Sequence, residues 1–390
     1  MDFIFIANAW NAGKDNPTSK HWIAVELIRK GNRVLWIEGS GMRTPRVGSS
    51  ADRLRMVRKV LAAFRGARRE EVASGLIPFL HVLSPLFIPL PRYESIRRLN
   101  GLICRLCMRF WTWRLGLHDP VLINYVPVLA EAMRVPRAVY HCVDRWDAFS
   151  NYDSEMMAAM DRRCCELAEL VIASSRDLLE RCRRYNANVH LVSHGVDHDH
   201  FSQALHVTRR PADLPPGRVV GFFGLLSEWL DQDLLVEVAR RVPECEVVLI
   251  GKADVPIEKL KGIRNLHLLG PRPFSQLPEY LAFFEVGLIP FVINELTLAV
   301  NPIKLKEMLS AGCPVVSTDL PEVRGYPGVG VDVANTKEGF VENVIRRMQQ
   351  PVTPKERIAI SAGVAKETWS EKVKDILVLI TENRKGSCPN

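Results

Sequence analysis

Asn301-Pro302-Ile303-Lys304-Leu305-Lys306-Glu307-Met308-Leu309-Ser310-Ala311-Gly312-Cys313-Pro314-Val315-Val316-Ser317-Thr318 decides the fold. A helix start, a cation, a carboxylate, a helix stop and a buried strand follow one another in this stretch. Asn301 is a favourable N-cap, and Pro302 suits the first helical position, where its missing N–H would be unpaired in any case. Lys304 and Glu307 stand three apart and share a face of the first two turns. Leu305, Met308 and Leu309 mark the buried face. Gly312 can take the left-handed conformation that closes a helix, and Pro314 keeps the helix from continuing. Val315-Val316 then reads as a short interior strand of a parallel sheet. A helix N-terminus carrying a lysine suits phosphate, and a carboxylate one turn further in can accept hydrogen bonds from a ribose diol. The same spacing also fits a simple i,i+3 ion pair on a solvated surface, worth about 0.3 kcal/mol.

Strands and helices alternate on the N-terminal side of this stretch. Residues 3–8 read as a strand, 9–16 as a loop and 18–30 as a helix with apolar Trp22, Ile23, Val25, Leu27 and Ile28. Gly31 stops that helix, and 34–37 is the next strand, giving a βαβ unit and hence a parallel sheet. Further strands are expected at 80–83, 121–125, 138–142, 170–173 and 189–192, with a long helix at 156–167. At 208–218 three prolines (Pro211, Pro215, Pro216) cluster without apolar periodicity, the composition of a linker. The alternation then restarts: strand 219–223, a turn at Gly224, helix 230–241, and strands at 247–250, 266–268 and 286–289. The reading is an α/β chain of two doubly wound, Rossmann-like domains facing across a cleft. Residues 1–207 form the first domain, 208–218 the linker and 219–369 the second, with a final helix and tail at 370–390. Ligands of such sheets sit beyond the carboxyl ends of the strands.

A chain of 390 residues, 47% hydrophobic and 25% charged, is comfortable for two soluble domains. No run of eighteen apolar residues appears, so no spanning helix is expected. The start at Met1 lacks the basic region and longer apolar core of a signal peptide. The nine cysteines form no framework. Cys104-x-x-Cys107 has no second pair at zinc spacing, and Cys164-Cys165 are adjacent, which fits reduced thiols in a cytoplasm and no structural metal.

The net charge of +8 is unevenly placed: residues 42–118 hold fifteen Lys/Arg against four acids. Nucleic acid, anionic lipid headgroups or a solvated face could each draw such a segment. The run from Arg97 to Arg114 mixes arginine with Leu, Phe110, Trp111 and Trp113, as helices lying on membrane surfaces do, though a basic helix packed on its own domain has the same look. No nucleic-acid-binding motif is visible. The expected partner is an anionic membrane surface, at the inner, cytoplasmic face.

The opening stretch resembles the donor-binding segment of glycosyltransferases with two facing Rossmann-like domains, the GT-B fold. It is most similar to glycosyltransferase family 4 and its bacterial polysaccharide-assembly relatives. They carry a Lys, a Glu three residues on, and an ensuing Ala-Gly-x-Pro-Val-Val. The resemblance implies that Glu307 binds the ribose hydroxyls of a nucleotide sugar and that Lys304 lies near the diphosphate, with Asn301 and Pro302 also among the donor-binding residues. It further implies that the turn at Gly224 lies under the diphosphate, that Pro271 and Arg272 belong to the loop holding the nucleobase, and that the segment from Pro290 to Thr297 frames the donor sugar. Two departures stand out. The family's first Glu, eight positions before Glu307, is Ala299 here, and the cation that usually follows the Gly-rich turn is replaced by Ser227-Glu228-Trp229. They point to a divergent subgroup.

In the first half, His141 and Asp144 stand at the carboxyl end of the strand at 138–142, where cleft-facing residues belong. An inverting sugar transfer needs a carboxylate to deprotonate the acceptor hydroxyl. Position and resemblance to inverting bacterial glucuronosyltransferases select Asp144, with His141 as the other candidate and helix capping as the structural reading. Asp147 reads as a cap or salt-bridge partner. Trp10, Lys20 and His21 flank the first strand-to-helix turn and are expected to touch the acceptor. The Ser193–Asp197 turn resembles the family's Asn-Gly-Val-Asp turn, with His194 in place of Asn.

The expectation is a metal-independent transferase without a resident cofactor. It would move a sugar from a nucleotide diphosphate donor, a UDP-sugar by preference, to a lipid-linked or polysaccharide acceptor. The alternatives are a UDP-sugar epimerase of the same architecture and a non-catalytic nucleotide-sugar-binding protein.

Overall fold

A computed structural model of the chain describes residues 1–10, 17–39, 68–72, 75–326, 328 and 330–386. The basic run at 42–67 and most of the loop at 9–16 lie outside the described residues. The chain divides into two compact units, one formed by Met1–Ser193 with Val373–Asn390, the other by His194–Lys372.

Unit 1 is built on β1 (Asp2–Ala7), β2 (Arg33–Glu38), β3 (Arg68–Val72), β4 (Gly75–Leu83), β5 (Val121–Asn124), β6 (Ala138–Cys142), β7 (Leu170–Ala173) and β8 (Val189–Leu191). Their order in the sheet is β3-β4-β2-β1-β5-β6-β7-β8. Every neighbouring pair is parallel except β3 and β4. Helices α1 (Ser19–Arg29), α2 (Glu94–Arg114), α3 (Ser154–Leu167) and α4 (Arg176–Arg183) accompany this sheet. The unbroken apolar run Phe3-Ile4-Phe5-Ile6 is buried throughout, as a central strand covered on both faces requires. The chain goes from β1 outward through β2 and then returns to place β5 on the other side of β1. The order therefore reverses between β1 and β5, and their carboxyl ends border the switch-point crevice.

Unit 2 repeats the plan with β9 (Arg218–Phe223), β10 (Cys245–Ile250), β11 (Leu266–Gly270), β12 (Phe284–Ile289), β13 (Val315–Thr318) and β14 (Val331–Ala334). The order is β11-β10-β9-β12-β13-β14, all parallel, with the reversal between β9 and β12. Its helices are α5 (His198–Ser202), α6 (Gln232–Arg241), α7 (Leu277–Leu281), α8 (Glu295–Leu298), α9 (Ile303–Ser310), α10 (Lys337–Gln349) and α11 (Pro354–Gly363). A last helix, α12 (Trp369–Gly386), begins in unit 2 and continues into unit 1.

The expected strands at 138–142 and 170–173 match β6 and β7 at both ends, whereas β3 and β14 were not foreseen. The division between units corrects the expected boundary. It falls at Ser193/His194, not within 208–218, because Val196, Phe201 and Ala204 are packed into the core of unit 2. Leu214, in the middle of the proline-rich segment, is buried in that same core, so this segment is an internal loop of unit 2. The second crossing falls at Lys372/Val373.

Candidate functional site

In unit 2 the helix of the opening stretch is α9, and its start departs from expectation. Pro302, with φ −76° and ψ 103°, stands at the cap position, and Asn301 lies one residue before it. Asn301 does not cap: its amide donates to Glu322 Oε2 at 3.3 Å, and its buried Oδ1 has no hydrogen-bond partner among the described residues. The helix end follows expectation. Gly312 has φ +70°, its N–H bonds the Leu309 carbonyl at 2.8 Å, and the Cys313 N–H bonds that of Met308 at 3.0 Å. This paired closure satisfies carbonyls that a helix end leaves open. Leu305, Met308 and Leu309 are buried, as are Val315, Val316 and Ser317 of β13 beyond them.

Lys304 Nζ stands 2.7 Å from Glu307 Oε2, with side-chain exposures of 26% and 7%. Those exposures exclude a solvated surface pair. The lysine also lies over the ring of Phe223, 4.5 Å from its centroid. Phe223 ends β9, and Gly224 follows with φ +146°. A Cβ at Gly224 would come 3.1 Å from the Phe222 ring and 3.5 Å from Lys304 Cε, and one at Gly251, just past β10, would come 1.7 Å from the Gly224 carbonyl oxygen. Two glycines thus let the ends of β9 and β10 meet under the Lys304 ammonium. Gly224, Lys304 and Glu307 are brought together beside the switch point of this sheet.

The other residues of the expected donor segments make internal contacts. Arg272 donates to the Tyr280 hydroxyl at 2.8 Å and the Leu269 carbonyl at 2.6 Å, contacts the carbonyl of the exposed Pro271, and pairs with Asp213. It fastens the loop after β11 through these bonds. Asn294 and Thr297 cap α8 reciprocally, each backbone N–H bonding the other's side chain at 3.0 Å. The Ser193–Asp197 turn is held by Lys306, a residue that sequence reasoning passed over. Lys306 is buried, donates to the His194 carbonyl and pairs with Glu367 at 2.9 Å; burial pulls its ammonium down to about 8.

In unit 1 the expected residues converge. Lys20 and His21 lie in the first turn of α1, Trp10 follows β1, His141 lies in β6, and Asp144 stands two residues past it. His21 is fixed by its own helix start, with Nδ1 2.8 Å from the Thr18 hydroxyl. Its ring stacks on Trp36 at 5.1 Å, and Trp10 packs edge-on against both, at 5.2 and 4.8 Å. Lys20 Nζ lies 5.9 Å from the ring centroid of Tyr125, which follows β5. The Tyr125 hydroxyl is 3.0 Å from His141 Nδ1. Tyr125 was not among the expected residues; its only signal was its place at a strand end.

Lys20 is the electrostatic centre of this cluster. Trp10, Lys20, His21, Tyr125 and His141 are buried and Asp144 is half-buried. Burial raises the Asp144 carboxyl to about 6, against the opposing pull of Lys20. Burial, reinforced by the Lys20 charge, lowers His141 to about 3 and His21 to about 4. Burial lowers Lys20 as well, with Asp144 opposing. Burial also pushes Tyr125 well above its usual value, so its hydroxyl stays protonated. Trp10 Nε1 and His141 Nε2 are buried without hydrogen-bond partners among the described residues. Buried polar atoms of this kind beside perturbed titratable groups at a switch point make the cluster a candidate binding site. Asp144 caps no helix, and Asp147 pairs with Arg181 at 2.9 Å. Among the described residues, no His/Cys/Asp/Glu group is placed to hold a metal ion.

Residues 217–350 match the family model described as "Glycosyl transferases group 1". Those residues are a glycosyltransferase group 1 domain. This domain contains Gly224, Pro271, Arg272, Asn301, Pro302, Lys304 and Glu307, while the cluster of unit 1 lies outside it. The chain is 28% identical over 214 residues to TuaH of Bacillus subtilis (strain 168), a protein named for a glycosyltransferase of teichuronic acid biosynthesis. The match covers 50% of this chain and 53% of TuaH, so the chain spans about half the length of that relative. Sucrose-phosphate synthase from Thermosynechococcus elongatus shares the fold with TM-score 0.70 at 12% identity, over 99% of this chain and 100% of that one. Anabaena Alr3699/HepE in complex with UDP does so with TM-score 0.61 at 14% identity, over 98% and 100%. The catalytic domain of Arabidopsis thaliana starch synthase IV, bound to ADP and acarbose, gives 0.64 at 10% identity, over 98% and 99%. Together with the two mainly parallel sheets, these neighbours identify the fold as GT-B.

Proposed function

We propose that the protein transfers a sugar from a nucleotide diphosphate donor, a UDP-sugar, to a lipid-linked or polysaccharide acceptor at the cytoplasmic face of a membrane. The observation that carries this reading is the half-buried Lys304–Glu307 pair over Gly224, at the switch point of a glycosyltransferase group 1 domain. Glu307 accepts hydrogen bonds from the ribose diol. Lys304 and the open N–H groups at the start of α9 offset charge on the departing diphosphate. The UDP complex of the similar Anabaena protein supports UDP as the nucleotide.

Asp144 takes the proton of the acceptor hydroxyl as that oxygen bonds the anomeric carbon and the bond to the diphosphate breaks. A base acting from the acceptor side implies inversion at that carbon. With its pKa near 6 Asp144 is ionised at neutral pH yet basic enough to accept a proton, whereas His141, held near 3, is too weak a base. With Tyr125 donating to Nδ1, His141 carries its proton on Nε2 and presents a donor to the acceptor. The nucleotide sugar is a co-substrate, and the reading needs no resident cofactor.

Calorimetry of UDP binding tests the donor half. Glu307→Ala should weaken UDP by about 10-fold or more, the scale of a charge-assisted hydrogen bond. Unchanged affinity would remove the donor assignment. A new sugar formed from the UDP-sugar alone, without acceptor, would turn the reading toward an epimerase.

A further inference from the structure

Helix α2 presents two faces that reverse the usual pattern. Asn100, Gly101, Cys104 and Met108 are buried. A Cβ on Gly101 would lie 2.6 Å from Glu131 Cβ, so the inner face is packed tightly. At 100° per residue the far side carries Leu99, Leu102, Leu106, Phe110 and Trp113. All five are exposed, from 43% for Leu99 to 75% for Trp113. Their spacing of i, i+3, i+7, i+11 and i+14 forms one continuous apolar stripe about 20 Å long. A helix packed only on its own domain would turn charged residues to that side.

Arginines border the stripe. Arg98, Arg105 and Arg109 run along one edge and Arg114 stands at the other. Arg98 pairs with Glu94, and Arg105 donates to the Glu131 carbonyl. Arg109 and Arg114 are exposed, and neither makes an ion pair or hydrogen bond among the described residues. A second copy of this helix would bring the same unpaired cations to the seam, in a chain of net charge +8. An anionic bilayer instead offers phosphates to the arginines and an acyl boundary to the Leu, Phe and Trp side chains.

We propose that the outer face of α2, from Leu99 to Trp113, lies in the headgroup–acyl boundary of an anionic lipid bilayer, flat on the surface. The proposal rests on the membrane-facing part of the reading above and not on its chemistry.

Co-sedimentation of the full chain with vesicles tests it. The protein should bind mixed phosphatidylcholine–phosphatidylglycerol vesicles, bind pure phosphatidylcholine weakly, and release as salt rises. The double substitution Leu106→Asp/Phe110→Asp should lower vesicle partitioning by about 10-fold or more. Arg109→Gln/Arg114→Gln should abolish the preference for anionic lipid. UDP affinity and circular dichroism should be unchanged in both, which keeps failure of this surface distinct from failure of the donor site or of folding. Undiminished partitioning of the Leu106→Asp/Phe110→Asp protein overturns the proposal. So does a wild-type dimer that the same substitutions dissociate while no vesicle binding is seen, since that assigns the stripe to a second copy.

Discussion

The two candidate sites sit at corresponding places in their units, each beside the strand where the sheet order reverses, yet they solve opposite electrostatic problems. In unit 2 the charges are already matched: Lys304 holds Glu307 at 2.7 Å and rests on Phe223. In unit 1 Lys20 is buried and Asp144 half-buried, and neither has a close ion-pair partner among the described residues. Lys20 lies within reach of Asp144 without forming a close ion pair, and the mismatch appears as an Asp144 carboxyl raised to about 6 and a His141 ring lowered to about 3. A paired site holds its shape without a ligand and suits recognition. An unpaired, desolvated site keeps its groups reactive and suits proton transfer.

This contrast sets the order of the tests. Asp144→Asn removes the base and should lower turnover by about 1,000-fold, within the usual range for a general base, while UDP affinity holds; retained turnover would dissolve the distinction between the units. The Glu307→Ala change touches the paired site and should appear in UDP affinity, about 10-fold or more, before it appears in turnover at saturating donor. Lys20→Met probes the coupling. Asp144 acts when ionised, so activity in the wild type should rise with pH through about 6. Lys20 favours that ionised form, so its loss should move the rise to higher pH and depress activity more at pH 6 than at pH 8; an unmoved limb would uncouple the two residues. Tyr125→Phe removes the hydroxyl that meets His141 Nδ1. A fall in kcat of about fivefold, one neutral hydrogen bond's worth, with UDP affinity intact, would mark Tyr125 as a positioning residue.

The same contrast explains what the sequence made legible. Lys304, Glu307 and Gly312 lie within ten residues of one another, so helix periodicity alone gave their relation and the stop that follows. Trp10, Lys20, Tyr125, His141 and Asp144 are spread over more than a hundred residues. Strand-end position drew attention to His141 and Asp144, but burial, which gives the cluster its perturbed acidities, is a property of the folded sheet. Asn301 misled as a cap because its amide is drawn to Glu322, and the partners of Arg272, Tyr280 eight residues on and Asp213 far back along the chain, gave no signal in the sequence. The prolines at 211, 215 and 216 imitated a linker. The actual crossing at Ser193/His194 has no such composition, because its neighbour Val196 is inside a core.

Lys306 and the turn it holds have a consequence for how the chain is assembled. The Val196 N–H bonds the Glu367 carbonyl at 2.8 Å, and Val196 pairs with Thr368 as an isolated bridge, so unit 2 begins and ends at one place, clasped by a single buried ammonium. Along the chain, residues 194–372 of unit 2 interrupt the sequence of unit 1. The first unit waits for the segment that follows unit 2: Val373, Ile376 and Ile380, all buried, are made only after 194–372. The group 1 domain is complete in sequence before then, so it can fold on the ribosome while its host is still missing a helix.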